Sequence, residues 1–238
     1  MVARSTAPGI DLAQSAWAGA RWLVIAPHAD DETLGVGALI AQAARARRLG
    51  GVAYLTDGAG SHSHADQSSR NALVAMRRRE AELSLRRLAG PTAPQPDFLD
   101  WPDAHPHPAG SPAFEATRRR LAALCRARRI DAIAVTAGHE PHCDHVAAHA
   151  LAKAVAGSPG LGRISLFEYI VWADAPPQPG GRAVRTAAIA PALRRQALMA
   201  HRSQLGPAFG DGFTLPSWQI RMAARDRLYW RRSDHGRG

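Results

Sequence analysis

Cysteine is nearly absent from this 238-residue chain: Cys125 and Cys143 are the only two, too few for a disulfide framework. Lysine is scarcer still, Lys153 standing alone among 30 basic residues that oppose 20 acidic ones for a net charge of +10. No apolar run approaches the ~20 residues needed to span a bilayer, and residues 1–20 hold no long apolar stretch of secretory type. These absences argue against a disulfide-stapled scaffold and a membrane span, and make the cytoplasm the expected compartment. Aromatic residues are 6% of the chain and do not interleave with the arginines, as they do where single-stranded nucleic acid stacks on a protein. Arg45-Ala46-Arg47-Arg48, Arg77-Arg78-Arg79 and Arg118-Arg119-Arg120 instead sit in helical stretches. The positive excess therefore reads as solvated helix faces, and nucleic acid is not an expected partner.

What is present is an ordinary globular composition, 46% hydrophobic and 21% charged, long enough for one domain with a sizeable core. Apolar runs predict strands at residues 22–26, 52–56, 96–99, 130–136 and 165–172. Helical patterns fall at residues 33–49, 71–88, 113–128, 146–156 and 190–203, the first stopped by Gly50-Gly51. Residues 101–112 form a proline-rich loop with two histidines, and residues 175–181 a linker or hairpin. Strands alternating with helices predict an α/β fold with a doubly wound, mainly parallel sheet flanked by helices in three layers. No repeat or second domain is visible. The whole of 1–238 reads as one domain, with 1–20 a lead-in and about 206–238 a C-terminal extension.

Chemistry concentrates at two strand ends. The run Trp22-Leu23-Val24-Ile25-Ala26 leads directly into Pro27-His28-Ala29-Asp30-Asp31-Glu32. Ligands bind at the carboxyl ends of strands in open α/β sheets. Three acidic residues and a histidine crowded there resist burial unless a cation compensates them. The strand at 130–136 ends in a second such cluster, Ala137-Gly138-His139-Glu140-Pro141-His142-Cys143-Asp144-His145. His28 and Asp31 with one histidine of the second cluster would make a three-ligand site with an open position, the catalytic form of a zinc site. Asp30 is then placed to accept a proton from water.

Each of these residues has a plainer reading. Asp30 and Asp31 could cap a helix, an explanation that weakens once the second cluster is set beside them. Glu32 reads as a cap or a backbone hydrogen-bond acceptor. His149, four residues after His145, reads as helix packing or surface. Cys125 is expected in the core, and Cys143 is not expected to be a ligand. His62, His64, His105 and His107 lie in loops around the pocket and read mostly as exposed. Asp57 and Gly58 form either a turn or a ligand contact. His201, Ser203 and Gln204 either anchor a loop near the site or end a helix. Gly35-Val36-Gly37 lacks the third glycine and the position behind the strand that a dinucleotide-binding turn requires.

Taken together, Pro27-His28-Ala29-Asp30-Asp31-Glu32-Thr33-Leu34-Gly35, His142-Cys143-Asp144-His145, Arg77-Arg78-Arg79-Glu80 and His201-Arg202-Ser203-Gln204 resemble the PIG-L/LmbE-like family of zinc-dependent N-deacetylases. The likeness covers roughly residues 20–205. It implies a Rossmann-like fold. It implies one zinc per chain, or iron(II) in its place, held by His28, Asp31 and His145. It further implies Asp30 as general base, His142 as oxyanion stabiliser or acid, and Asp144 as the residue that orients and charge-balances His142. Arg77 and Asp57 would contact substrate. Two positions depart from the family pattern: Ala29 replaces the usual proline, and Arg194 or Arg195 stands where a lysine is often found. The implied reaction removes an acetyl or similar acyl group from the nitrogen of an amino sugar or glycoconjugate. An amidase of a larger thiol or sugar conjugate is the nearer alternative. A basic anion- or RNA-binding module with a non-catalytic metal is the more distant one. The expected partner is a small-molecule substrate, with a homo-oligomer left open.

Overall fold

The computed structural model describes residues 9–64, 66–177, 182–206 and 211–231. Its eight strands are β1 (Ile10–Asp11), β2 (Trp22–Ala26), β3 (Leu49–Thr56), β4 (Asp97–Trp101), β5 (Ala132–Thr136), β6 (Ser165–Tyr169), β7 (Arg182–Arg185) and β8 (Arg227–Arg231). They form one mixed sheet in the order β1-β7-β8-β6-β5-β2-β3-β4. The run β6-β5-β2-β3-β4 is parallel throughout, as the alternation of strands and helices predicts. β8 runs antiparallel to both β6 and β7.

Burial explains why the central strands are apolar at every position. In β2, Trp22, Val24 and Ala26 enter one core while Leu23 and Ile25 enter a second. The first core is closed by α1 (Asp31–Arg45), α2 (Gln67–Ala89) and α5 (Pro191–Leu198). The second is closed by α3 (Pro112–Arg128) and α4 (Cys143–Ala156). β2 lies between β3 and β5, so the chain winds outward from it in both directions. The gap beyond the carboxyl ends of β2 and β5 is thus the topological switch point, where such sheets bind ligands.

Several boundaries differ from those the sequence suggests. The first helix ends at Arg45 rather than at residue 49, and Arg47 turns the chain at φ 55°. Gly50 and Gly51 belong to β3, where neighbours come too close for a side chain. A Cβ on Gly50 would stand 2.2 Å from Ile130 Cδ1, and one on Gly51 2.5 Å from Arg128 Nη1. α5 ends at Leu198, and a short 3-10 turn at Arg202–Gln204 follows it. β1, β7 and β8 have no counterpart in the sequence reading. Residues 178–181 of the expected linker lie outside the described residues, as do 1–8 of the lead-in and 207–210 and 232–238 of the C-terminal extension.

The glycines of Gly35-Val36-Gly37 have a packing explanation. α1 kinks at Val36 (φ −138°, ψ 24°). A Cβ on Gly35 would lie 2.3 Å from the ring of Tyr169, whose hydroxyl donates to the Ile25 carbonyl at 3.0 Å. The kink frees backbone groups that buried side chains then satisfy, as buried polar backbone requires. Asp226 accepts from the Leu39 amide at 2.7 Å, and Arg194 donates to the carbonyls of Thr33 (2.8 Å) and Leu34 (2.6 Å). Arg194 and Asp226 pair with each other at 2.6 Å.

Candidate active site

The ends of β2 and β5 and the first turns of α1 and α4 bring both polar clusters together. His142 caps α4, its Nδ1 accepting from the Asp144 amide at 3.2 Å. Ligand atoms of His28, His142 and His145 lie within 4.8 Å of one another. Asp31 Oδ2 stands 3.2 Å from His28 Nδ1 and 3.3 Å from His145 Nε2. Nitrogen and oxygen ligands of a tetrahedral zinc lie about 2.0–2.1 Å from the ion, and so roughly 3.3 Å apart. Neither ring nitrogen of buried His145 has a hydrogen-bond partner of good geometry, an open valence that an ion at Nε2 would fill. The far nitrogens of both histidines face carboxylates, as metal-ligating histidines generally do. His28 Nε2 lies 3.0 Å from Asp144 and 3.2 Å from Asp103, and His145 Nδ1 lies 3.3 Å from Glu140. The residues present therefore suit a divalent ion held by His28, Asp31 and His145.

The electrostatics point the same way. Asp30, Asp31, Glu32, Glu140 and Asp144 are all buried, a surplus of negative charge. Burial alone would raise the Asp31 pKa, but His145 and then His28 outweigh it and hold the carboxyl far below the usual range. Burial alone would lower that of His145, yet Asp31 and then Glu140 raise it to about 9. His28 rises well above its ordinary value because Asp103, Asp144 and Asp31 overcome its burial. His142, by contrast, is lowered by burial and by the neighbouring His28 charge.

Asp30 is set apart from this cluster. Its backbone has φ 148° and ψ −29°, a region costly for any residue with a side chain. Its carboxylate accepts from Gln204 Nε2 at 2.7 Å. Burial and the adjacent Asp31 charge raise its pKa to about 7. Glu32 does what the sequence suggests, accepting from the Asp30 amide at 3.0 Å. It also accepts from Thr33 and Ser84 and faces His201 at 3.3 Å. The C-terminal His201-Arg202-Ser203-Gln204 segment is thus an anchor at the site rather than a helix end. Ser203 bonds Glu80 through its amide (2.9 Å) and hydroxyl (2.6 Å).

His28, Asp30, Asp31, Arg77, His142 and His145 all open onto one cavity of about 280 Å³. Asp144 is fully buried behind them, closer to His28 (3.0 Å) than to His142 Nδ1 (3.8 Å). Arg77 is buried and donates to the carbonyls of Gly58 (3.0 Å) and Ala29 (3.3 Å). Asp57 pairs with Arg70 and accepts from the Ala59 amide at 2.9 Å. His149 pairs with buried Glu168 at 2.8 Å. Cys125 is buried in the core and Cys143 is exposed, its sulfur 3.7 Å from the Ala104 carbonyl. His62 is buried rather than exposed. Two carboxylates gain roles that the sequence does not announce. Asp103 comes from the proline-rich loop, and its carboxyl is held at about 2, the His28 contact outweighing burial. Glu140 accepts from the amides of Val171 (2.7 Å) and Trp172 (3.0 Å).

Fold and site together define a doubly wound α/β protein with a histidine–carboxylate cluster at its switch point. A family model described as PIG-L, GlcNAc-PI de-N-acetylase, matches residues 23–156, more than half of the 238-residue chain. The chain belongs to the PIG-L family. Among solved structures it is similar to N,N'-diacetylchitobiose deacetylase from Pyrococcus horikoshii, at 21% identity and TM-score 0.66 over 92% of this chain and 86% of that one. It is also similar to teicoplanin deacetylase Orf2 in its zinc-inhibited form, at 18% identity and TM-score 0.61 over 91% and 100% of the two chains. A third is the A40926 pseudoaglycone deacetylase Dbv21, at 17% identity and TM-score 0.62 over 88% and 96%. Comparison with curated proteins gives no match.

Proposed function

We propose that this chain is a zinc-dependent N-deacetylase that removes an acetyl or similar acyl group from the nitrogen of an amino sugar or glycoconjugate. One observation carries the reading. Asp31 Oδ2 stands at metal-ligand spacing from both His28 Nδ1 and His145 Nε2, while a further carboxylate, Asp30, opens onto the same cavity bonded to Gln204 rather than to them. A divalent ion bound there supplies Lewis acidity toward a carbonyl oxygen and toward water. The side chains divide the remaining work. Asp30 takes the proton of the attacking water, with Gln204 Nε2 fixing the orientation of its carboxylate. His142, on the cavity wall, stabilises the oxyanion or returns a proton to the departing nitrogen. Asp144 holds His28 and supplies negative charge behind His142. Arg77 shapes the polar wall, and Asp57 braces the adjoining loop through Arg70. Membership in a family described as a GlcNAc-PI de-N-acetylase supports the substrate class. No helix among the described residues is long and apolar enough to cross a membrane, and both cysteines are unpaired. Unpaired thiols suit a reducing compartment, and we take the cytoplasm as the working location.

The test is a screen of N-acetylated amino-sugar conjugates, read by acetate release, beside metal analysis of the purified chain. About one divalent ion per chain and release from at least one conjugate are expected. A chain that carries no divalent ion and releases no acetate after addition of zinc or iron(II) overturns the reading.

A further inference from the structure

The cavity has two unlike linings. One is the imidazole and carboxylate cluster, and the other includes the rings of Trp172 and Phe213. These two meet edge to face, centroids 6.0 Å apart at 81°. Trp218 continues the surface outward, 6.0 Å from Trp172 at 88°. Phe213 is 39% exposed and Trp218 55%, a large share for apolar rings of their size. All three lie beyond the 23–156 region that the family model matches.

The rings are mounted firmly. The Trp172 amide is held by Glu140 at 3.0 Å. The Phe213 amide donates to the Ser61 carbonyl at 2.7 Å, beside a bridge between His62 and Gly212. Gln219 Nε2 donates to the Val171 carbonyl at 2.6 Å and ties down the turn that carries Trp218. Fixed, open aromatic faces beside a polar reaction centre serve a ligand that is larger than the reacting amide and partly apolar.

We propose that Trp172, Phe213 and Trp218 form a binding subsite for a second ring of the substrate, one with an apolar face, joined to the ring that bears the acylated nitrogen. The proposal rests on the deacetylase reading above. A ring lays one face on an aromatic surface and keeps its polar edge in water, which suits an open rim. A flexible alkyl chain gains most where it is enclosed, because its burial energy scales with the area removed from water. A second pyranose and an aryl aglycone offer the same chemistry, and the test separates them.

Four probes serve: the methyl, phenyl and hexyl β-glycosides of N-acetylglucosamine and its β-1,4-linked two-sugar analogue. Each is assayed for kcat/KM by acetate release. The corresponding deacetylated glycosides, which undergo no turnover, are assayed for binding by calorimetry. The two-ring probes are expected to exceed the methyl glycoside about tenfold, a difference of roughly 1.4 kcal/mol. Whichever of the phenyl and two-sugar probes leads identifies the ring. Trp172→Ala and the surface substitution Trp218→Ala should move the two-ring to one-ring ratio toward one, and Trp172→Phe should keep most of it. A ratio unchanged in Trp218→Ala and Trp172→Ala overturns the subsite, as does a hexyl glycoside that outperforms both two-ring probes. Acetate release from all four probes alike removes the subsite and leaves the deacetylase standing. No release, with a two-ring binding preference that Trp218→Ala abolishes, removes the deacetylase and leaves the subsite.

Discussion

The floor of the cavity and its rim are built by different parts of the chain under different rules. The floor comes from the ends of β2 and β5 and the first turns of α1 and α4, all within residues 23–156. Each polar residue there follows a fully buried strand, so the sheet fixes its position before any side chain is chosen. The rim comes from the segment after β6 and from residues 211–222, which have little regular structure. It is held by a few backbone hydrogen bonds to the loop after β3 and by the Gln219 side chain, which donates to the Val171 carbonyl. The contrast teaches where each property resides. The proposed reaction chemistry sits at the ends of the rigid sheet, and the proposed ring subsite sits on the loops around it.

Three substitutions press on this division. Asp30→Asn attacks the floor at the proposed base. Turnover should fall by about 10²–10⁴-fold while the divalent-metal content, read by elemental analysis, stays at that of the unaltered chain. A variant that keeps its turnover removes Asp30 from the role of base. Arg194→Met attacks the support behind the floor, since Arg194 joins α5 to the kink of α1 and to Asp226. It leaves Asp226 buried without its counter-charge and should destabilise the fold by about 3–5 kcal/mol, read as a shift in the denaturation midpoint. An unshifted midpoint would show that the Arg194 links to α1 and Asp226 add nothing to stability. Gly35→Ala is the mildest, forcing a methyl group against the Tyr169 ring. A cost of about 1–3 kcal/mol is expected from overpacking, measured in the same way, with little change in metal content.

The floor was legible in the sequence because its residues follow apolar runs whose burial on both faces dictates a central parallel strand. The pairing of two polar clusters at two strand ends then suggested a shared site. Asp103 was hidden because a proline-rich loop has no periodicity to show which side chain turns inward. Glu140 stood in plain view inside the second cluster, yet its partners at Val171 and Trp172 are contributed by a segment some 30 residues later. Nothing local announces that. β8 was missed for a related reason. Its five residues (Arg227–Arg231) gain their strand character from antiparallel pairing with β6 and β7, a long-range choice that short-range pattern does not encode. α1 ends before Gly50-Gly51, a pair that resembles a helix stop, because Ile130 and Arg128 require those glycines inside a strand.

Glu140 has a consequence for how this chain can be re-engineered. One carboxylate faces His145 at 3.3 Å and also grips the amides of Val171 and Trp172. A change at Trp172 is therefore expected to reach His145, a proposed metal ligand, and the effects of substitutions at the two places should be non-additive. Trp218 hangs outside that connection. Directed evolution toward new substrates thus has an inexpensive entrance at Trp218 and a hazardous one at Trp172, although the two rings touch.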